Sequence, residues 1–207
     1  MPFNKVICQE APVAYALIKG NASHRALRGT VLFYQIPGGF IICADMVGLP
    51  MGEGLCGSRI FGFHIHEGGS CTGNAADPFA NVGGHYNPYG CPHPEHAGDL
   101  PPLFGNSGYA WTAFATNRFT LSEIIGRTII IHNKLDDFTT QPSGYFALFT
   151  FCARALPADV LESLPVRLSL NTFDAADAAL EDVFLFAIDF TSSRARGRRA
   201  WCGWTCL

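Results

Sequence analysis

Charge is scarce in this chain. Only 15% of its 207 residues are Asp, Glu, Lys or Arg, and 14 cationic against 17 anionic side chains leave a formal net charge of -3. That balance excludes the broad basic surface by which a protein holds nucleic acid or an anionic membrane. Long apolar runs are missing too. The most apolar stretch, 30–44, is broken by Pro37-Gly38-Gly39, which excludes a membrane-spanning helix. The start, Met1-Pro2-Phe3-Asn4-Lys5, has no charged-then-apolar leader, so the expected compartment is the cytoplasm, with export left open. No C-x-x-C pair occurs. Eight cysteines are many for a reducing cytosol and few for a disulfide scaffold.

What is present points to β structure. The length suits one domain with an extension, and 22 Gly with 13 Pro indicate a loop-rich chain rather than a helical bundle. Short β-rich runs at 13–20, 29–35, 40–47, 61–66, 109–116 and 124–132 are separated by turn residues. Runs of that length and spacing predict an all-β sandwich or barrel. Between 67 and 108 the pattern lapses into a Gly- and Asn-rich loop holding six of the 13 prolines. So long a loop inside a compact domain needs something to organise it. The character changes again near the end: 145–207 contains six Arg, no Lys and a basic cluster at Arg194, Arg196, Arg198 and Arg199. Helices at 156–164 and 175–186 are the expectation there, without a clean apolar face.

The histidines supply the chemistry. His64-Ile65-His66 ends an apolar run, and in a strand the period of two puts both imidazoles on one face. Paired imidazoles suit copper or zinc. His85, His93, His96 and Asp99 then fall within 15 residues, and three imidazoles with one carboxylate make a closed tetrahedral zinc shell. A zinc there is structural, and its binding free energy orders a loop that has no apolar core of its own. The competing account, a polar surface loop with scattered histidines, leaves six of seven histidines grouped by accident. A finger-like set of Cys71, Cys91, His93 and His96 lacks paired-ligand spacing and leaves the other histidines idle. His132, after Ile129-Ile130-Ile131, is either a polar strand end or a third copper ligand beside His64 and His66.

Four segments carry a resemblance to a known family: Gly62-Phe63-His64-Ile65-His66-Glu67, Gly84-His85-Tyr86-Asn87-Pro88, His96-Ala97-Gly98-Asp99-Leu100 and 125–132 ending in His132. In order, spacing and flanking residues they resemble the copper/zinc superoxide dismutases, over about 13–152. The resemblance implies a Greek-key β-barrel, an immunoglobulin-like sandwich, with long metal-binding loops in a domain at 1–156, and a divergent, irregular or partly helical tail at 157–207. It implies copper on His64, His66, His85 and His132, and zinc on His85, His93, His96 and Asp99, so that His85 bridges the metals. Asp136 matches the carboxylate that links a copper histidine to a zinc histidine. Cys71 and Cys152 match the intrasubunit disulfide; the other cysteines match no family position. The implied reaction is superoxide dismutation through Cu(II)/Cu(I), with His85 as the catalytic proton carrier, superoxide as substrate, and a homodimer as a common family assembly. The alternative is a non-catalytic copper- and zinc-binding relative.

The likeness stops after Gly144. The family places a cation, usually Arg, three positions before the second disulfide cysteine, and here that position is Phe149. Lys134 and Arg154 are the candidates to replace it. The strand that normally follows reads Ala153-Arg154-Ala155-Leu156-Pro157, so a lost closing strand and an open barrel edge are expected. Residues 145–207 then read either as a diverged folded extension or as the product of a changed reading frame.

Overall fold

The computed structural model describes residues 2–52, 59–75, 79–133, 136–139 and 150–159. Its strands are β1 (Ala14–Lys19), β2 (Arg28–Ile36), β3 (Gly39–Val47), β4 (Arg59–Ile65), β5 (Leu103–Gly105), β6 (Tyr109–Thr116), β7 (Thr128–His132), β8 (Thr150–Arg154) and β9 (Leu156–Pro157). Among the described residues two short α-helices accompany them, α1 (Phe3–Gln9) and α2 (Leu121–Ile124), with a 3-10 turn at Ala80–Val82. All pairings are antiparallel, in the order β5-β4-β7-β8-β1-β2-β3-β6, with β9 beside β1. The tight turn from β5 to β6, closed by an Asn106–Tyr109 bridge, brings the two ends of that order together. This is the all-β Greek-key barrel that the family resemblance implied.

Alternation along the strands sorts the side chains into two layers. In β2, Val31 and Phe33 enter the main core with Phe61, Phe63, Ile65, Ile129 and Ile131. The intervening Leu32 and Tyr34 point out, yet they are buried as well, in a second cluster with Tyr15, Ile41 and Cys43. Val6 of α1, 1% exposed, covers that cluster. The apolar runs on either side of the Pro37-Gly38-Gly39 turn therefore reflect burial on both faces. Each large apolar side chain so covered contributes about 1.5–3 kcal/mol.

Three local expectations are corrected. The 124–132 run is not one strand: Leu121–Ile124 is a single helical turn, and β7 starts only at Thr128. The Thr120 side chain accepts from the Glu123 amide while the Glu123 carboxylate accepts from the Thr120 amide, and this capping box starts a helical turn that runs into the first residue of the expected strand. The closing strand is not lost, because Thr128–His132 pairs with Thr150–Arg154 over its whole length and β8 reaches β1 through Lys19 and Cys152. Leu156–Pro157, where a helix was expected to begin, pairs instead with Ala14 and Tyr15. The remainder of the expected helices and the Arg cluster lie outside the described residues.

Candidate metal centre

β4 carries His64 and delivers His66 immediately after its end. Phe61, Phe63 and Ile65 face the core, so Gly62, His64 and His66 share the opposite face, as the period of two requires. Gly62 leaves room between His64 and His132: a Cβ there would sit 3.1 Å from His64 Cε1 and 3.4 Å from His132 Cβ. His132 arrives at the end of β7, directly opposite Gly62.

The long loop lies along β4 rather than away from it. Glu67 N donates to Gly84 O at 2.9 Å, Tyr86 N to Ile65 O at 2.8 Å, Ile65 N to Gly98 O at 2.9 Å and Leu100 N to Phe63 O at 3.2 Å. These bonds set His85 beside His66 and Asp99 beside His64. Gly98 permits the approach, since a Cβ would meet Ile65 O at 2.3 Å.

Two four-residue groups result: His64, His66, His85 and His132, then His85, His93, His96 and Asp99. In each group the ligand-capable atoms lie within 4.8 Å of one another, and His85 belongs to both. The hydrogen bonds fix which ring nitrogens face inward. His66 Nδ1 donates to the Gly83 carbonyl at 2.9 Å, leaving Nε2 as a lone pair 3.2 Å from His132 Nε2. His64 Nε2 donates to Asp136 Oδ2 at 2.7 Å, and its Nδ1 is buried with no partner. In the second group His85 Nδ1 lies 2.8 Å from Asp99 Oδ1, and His93 Nδ1 and His96 Nδ1 lie 2.9 and 3.3 Å from Asp99 Oδ2. Asp136 Oδ1 accepts from His93 Nε2 at 2.7 Å, so this one carboxylate joins His64 to His93. Two buried nitrogens without hydrogen-bond partners, His64 Nδ1 and His85 Nε2, are costly unless a cation meets them. The donor set fits copper at four imidazoles and zinc at three imidazoles and a carboxylate.

Protonation follows the same geometry. Burial, aided by neighbouring imidazoles, lowers His64 to about 4 and His66 to about 3, and pushes His132 well down, so these rings stay neutral as metal ligands must. His93 shifts the other way: burial opposes its charge, but hydrogen bonds and attraction from Asp136 and Asp99 prevail and raise it. Burial likewise works against ionised Asp99 and Asp136, and the imidazole hydrogen bonds still hold both below the usual carboxylate range.

Every histidine, Asp99 and Asp136 named from the sequence for the centre is thus brought into it; His24 stays apart, with its Nδ1 3.3 Å from Asn21 Oδ1. Among the described residues the groups that could hold a metal contain no cysteine, and Cys91 is a free thiol, which removes the finger-like alternative. Arg154 does not enter the centre: its Nε donates to Gly126 O at 3.3 Å, at the end of β8 away from His132. Lys134 and Phe149 lie outside the described residues. Sequence reasoning missed the supports. Tyr86, next to His85, donates to Glu123 Oε1 at 2.9 Å and lies under Arg127, whose guanidinium carbon is 4.0 Å from the ring centre. The capping-box residues 120–123 were the available signal for that contact.

Comparison with known proteins agrees with this geometry. The family described as copper/zinc superoxide dismutase (SODC) matches residues 27–153. The chain belongs to the copper/zinc superoxide dismutase family. A superoxide dismutase [Cu-Zn] of Deinococcus radiodurans is 34% identical over 134 residues, covering 56% of this chain and 70% of that protein. One from Photobacterium leiognathi is 32% identical over 128 residues, covering 56% of this chain and 70% of its own length. The crystal structure of a double mutant of a SOD-like protein from Bacillus subtilis superposes with a TM-score of 0.56 at 28% identity, covering 69% of this chain and 96% of that one. The family uses copper and zinc, and the two histidine groups are of the kind that holds them. Among the described residues no helix is long and apolar enough to cross a membrane.

Proposed function

We propose that the chain is a superoxide dismutase, with copper held by His64, His66, His85 and His132 and zinc by His85, His93, His96 and Asp99. One observation carries this reading. His85 turns Nδ1 to Asp99 and leaves Nε2 buried and unpartnered among three further imidazoles, so a single ring faces two cation positions. Copper, when bound, supplies the one-electron couple by which one superoxide is oxidised to dioxygen and a second is reduced to peroxide.

The chain's own residues do the rest. His85 Nε2 takes up a proton and delivers it to the forming peroxide, while Asp99 keeps the ring placed from its other side. Asp136 accepts from His64 Nε2 and His93 Nε2, which fixes both tautomers and aims the opposite nitrogens inward. We further propose a Cys71–Cys152 disulfide holding the loop to the barrel. Cys71 packs against the cluster of Val82 and Ile130, and Ile130 is the register partner of Cys152.

Phe149 favours a second reading, a relative that holds both metals without turning over, since a guiding cation is replaced by an aromatic ring. Loss of one such cation lowers anion capture roughly tenfold or more. The test is superoxide dismutation by protein loaded with copper and zinc at low ionic strength, beside His64→Ala. Copper-dependent activity that disappears in His64→Ala while zinc stays bound supports the enzyme. Both metals bound in stoichiometric amounts without activity supports the non-catalytic relative.

A further inference from the structure

The segment between β6 and α2 was silent in sequence terms, yet it grips the loop that bears His93, His96 and Asp99. Arg118 Nη1 lies 3.3 Å from the Pro94 carbonyl, 3.2 Å from the His96 carbonyl and 3.2 Å from the Asp99 carbonyl. Two of those oxygens belong to residues whose side chains form the second group, and the third belongs to the residue after His93. Prolines at 92, 94, 101 and 102 deprive this stretch of backbone donors, so a side chain from elsewhere supplies what the loop cannot. The anchor itself is rigid. The adjoining Phe119 is 5% exposed and stacks on Phe40 with ring centres 5.8 Å apart, and the capping box follows at once.

We propose that Arg118 is a positioning residue for zinc: it draws the Pro94, His96 and Asp99 carbonyls onto one guanidinium and thereby sets the spacing of the ligands between and beside them. The inference rests on the zinc assignment made above. It has a distinctive sign. Removing a positive charge near a bound dication strengthens the dication's binding by Coulomb attraction alone, whereas loss of a clamp weakens it.

The experiment measures zinc transfer from the copper- and zinc-loaded protein to a chromophoric chelator, for the parent, Arg118→Met, Arg118→Gln, Arg118→Lys and a His93→Ala control. Both Arg118→Met, which keeps the apolar stem, and Arg118→Gln, which keeps a short amide donor, release zinc about tenfold faster or more, as for loss of an outer support. Arg118→Lys lies between them and the parent. Cobalt(II) placed in the zinc position reads ligand geometry directly, and its d–d bands shift in Arg118→Met, which a purely structural stabiliser would leave unchanged. Zinc release as slow as the parent's, or slower, in either neutral variant overturns the clamp. If His93→Ala retains zinc as the parent does, the zinc assignment itself falls, and the inference with it.

Discussion

The two halves of the metal centre are built in different ways. His64 on β4, His66 just after it and His132 on β7 belong to paired strands whose other faces fill the main core, so their separation is a property of the barrel. His93, His96 and Asp99 stand on a loop that lends the main core only Tyr86, Ala97 and Leu100 and is otherwise held by a few backbone bonds to β4, by Arg118 and by Asp136. A strand-borne group is preformed by the fold. A loop-borne group depends on whatever supplies the energy that a core would otherwise provide, and a bound cation is the strongest such source.

Stripping both metals exposes that difference most sharply. Amide exchange is then expected to quicken about a hundredfold or more within 84–102, the factor that follows from a ligand at a hundred times its dissociation constant, while β4 and β7 keep their protection. Equal loss of protection in both regions, read by mass spectrometry, would remove the distinction. Asp136→Asn tests the link between the halves. Both Nε2 atoms donate to this carboxylate, and an amide offers only one acceptor oxygen, so one tautomer fails. Metal affinity is expected to fall about 10–100-fold, measured by titration against a competing chelator, with the larger loss at the position whose histidine is left without an acceptor.

Acid sharpens the contrast by a smaller margin. His64 and His66 sit at about 4 and about 3, so protons compete for them only as the pH falls through that range. His93 is raised above the usual imidazole value by Asp136 and Asp99, so protons compete for it from higher pH. Zinc is therefore expected to leave before copper as the pH falls from 7. Metal analysis of dialysed samples across the range checks the order, and copper leaving first would contradict it.

Much of this was legible beforehand, and the reasons are specific. His64 and His66 were assigned to one face because alternation in a strand leaves no other arrangement. The identity of the second group followed from spacing and resemblance together. What stayed hidden depended on contacts distant in sequence. Nothing near Arg118 marks it as a partner for carbonyls 19 to 24 residues away. The outer cluster under α1 left a trace, the apolar runs on both sides of Pro37-Gly38-Gly39, but a run cannot say which segment covers it. β8 was obscured because the family likeness fails at 145–149, while its pairing is set by the backbone of β7.

His85 and Asp136 together have a consequence for how the centre fills. Each spans the boundary between the groups, one by belonging to both and one by bonding a histidine of each. A cation entering either group therefore changes the free energy of the other by two parallel routes. Thermodynamic linkage makes the change reciprocal. Whatever factor zinc adds to copper affinity, copper adds to zinc affinity, and the order of loading leaves the final state unaltered.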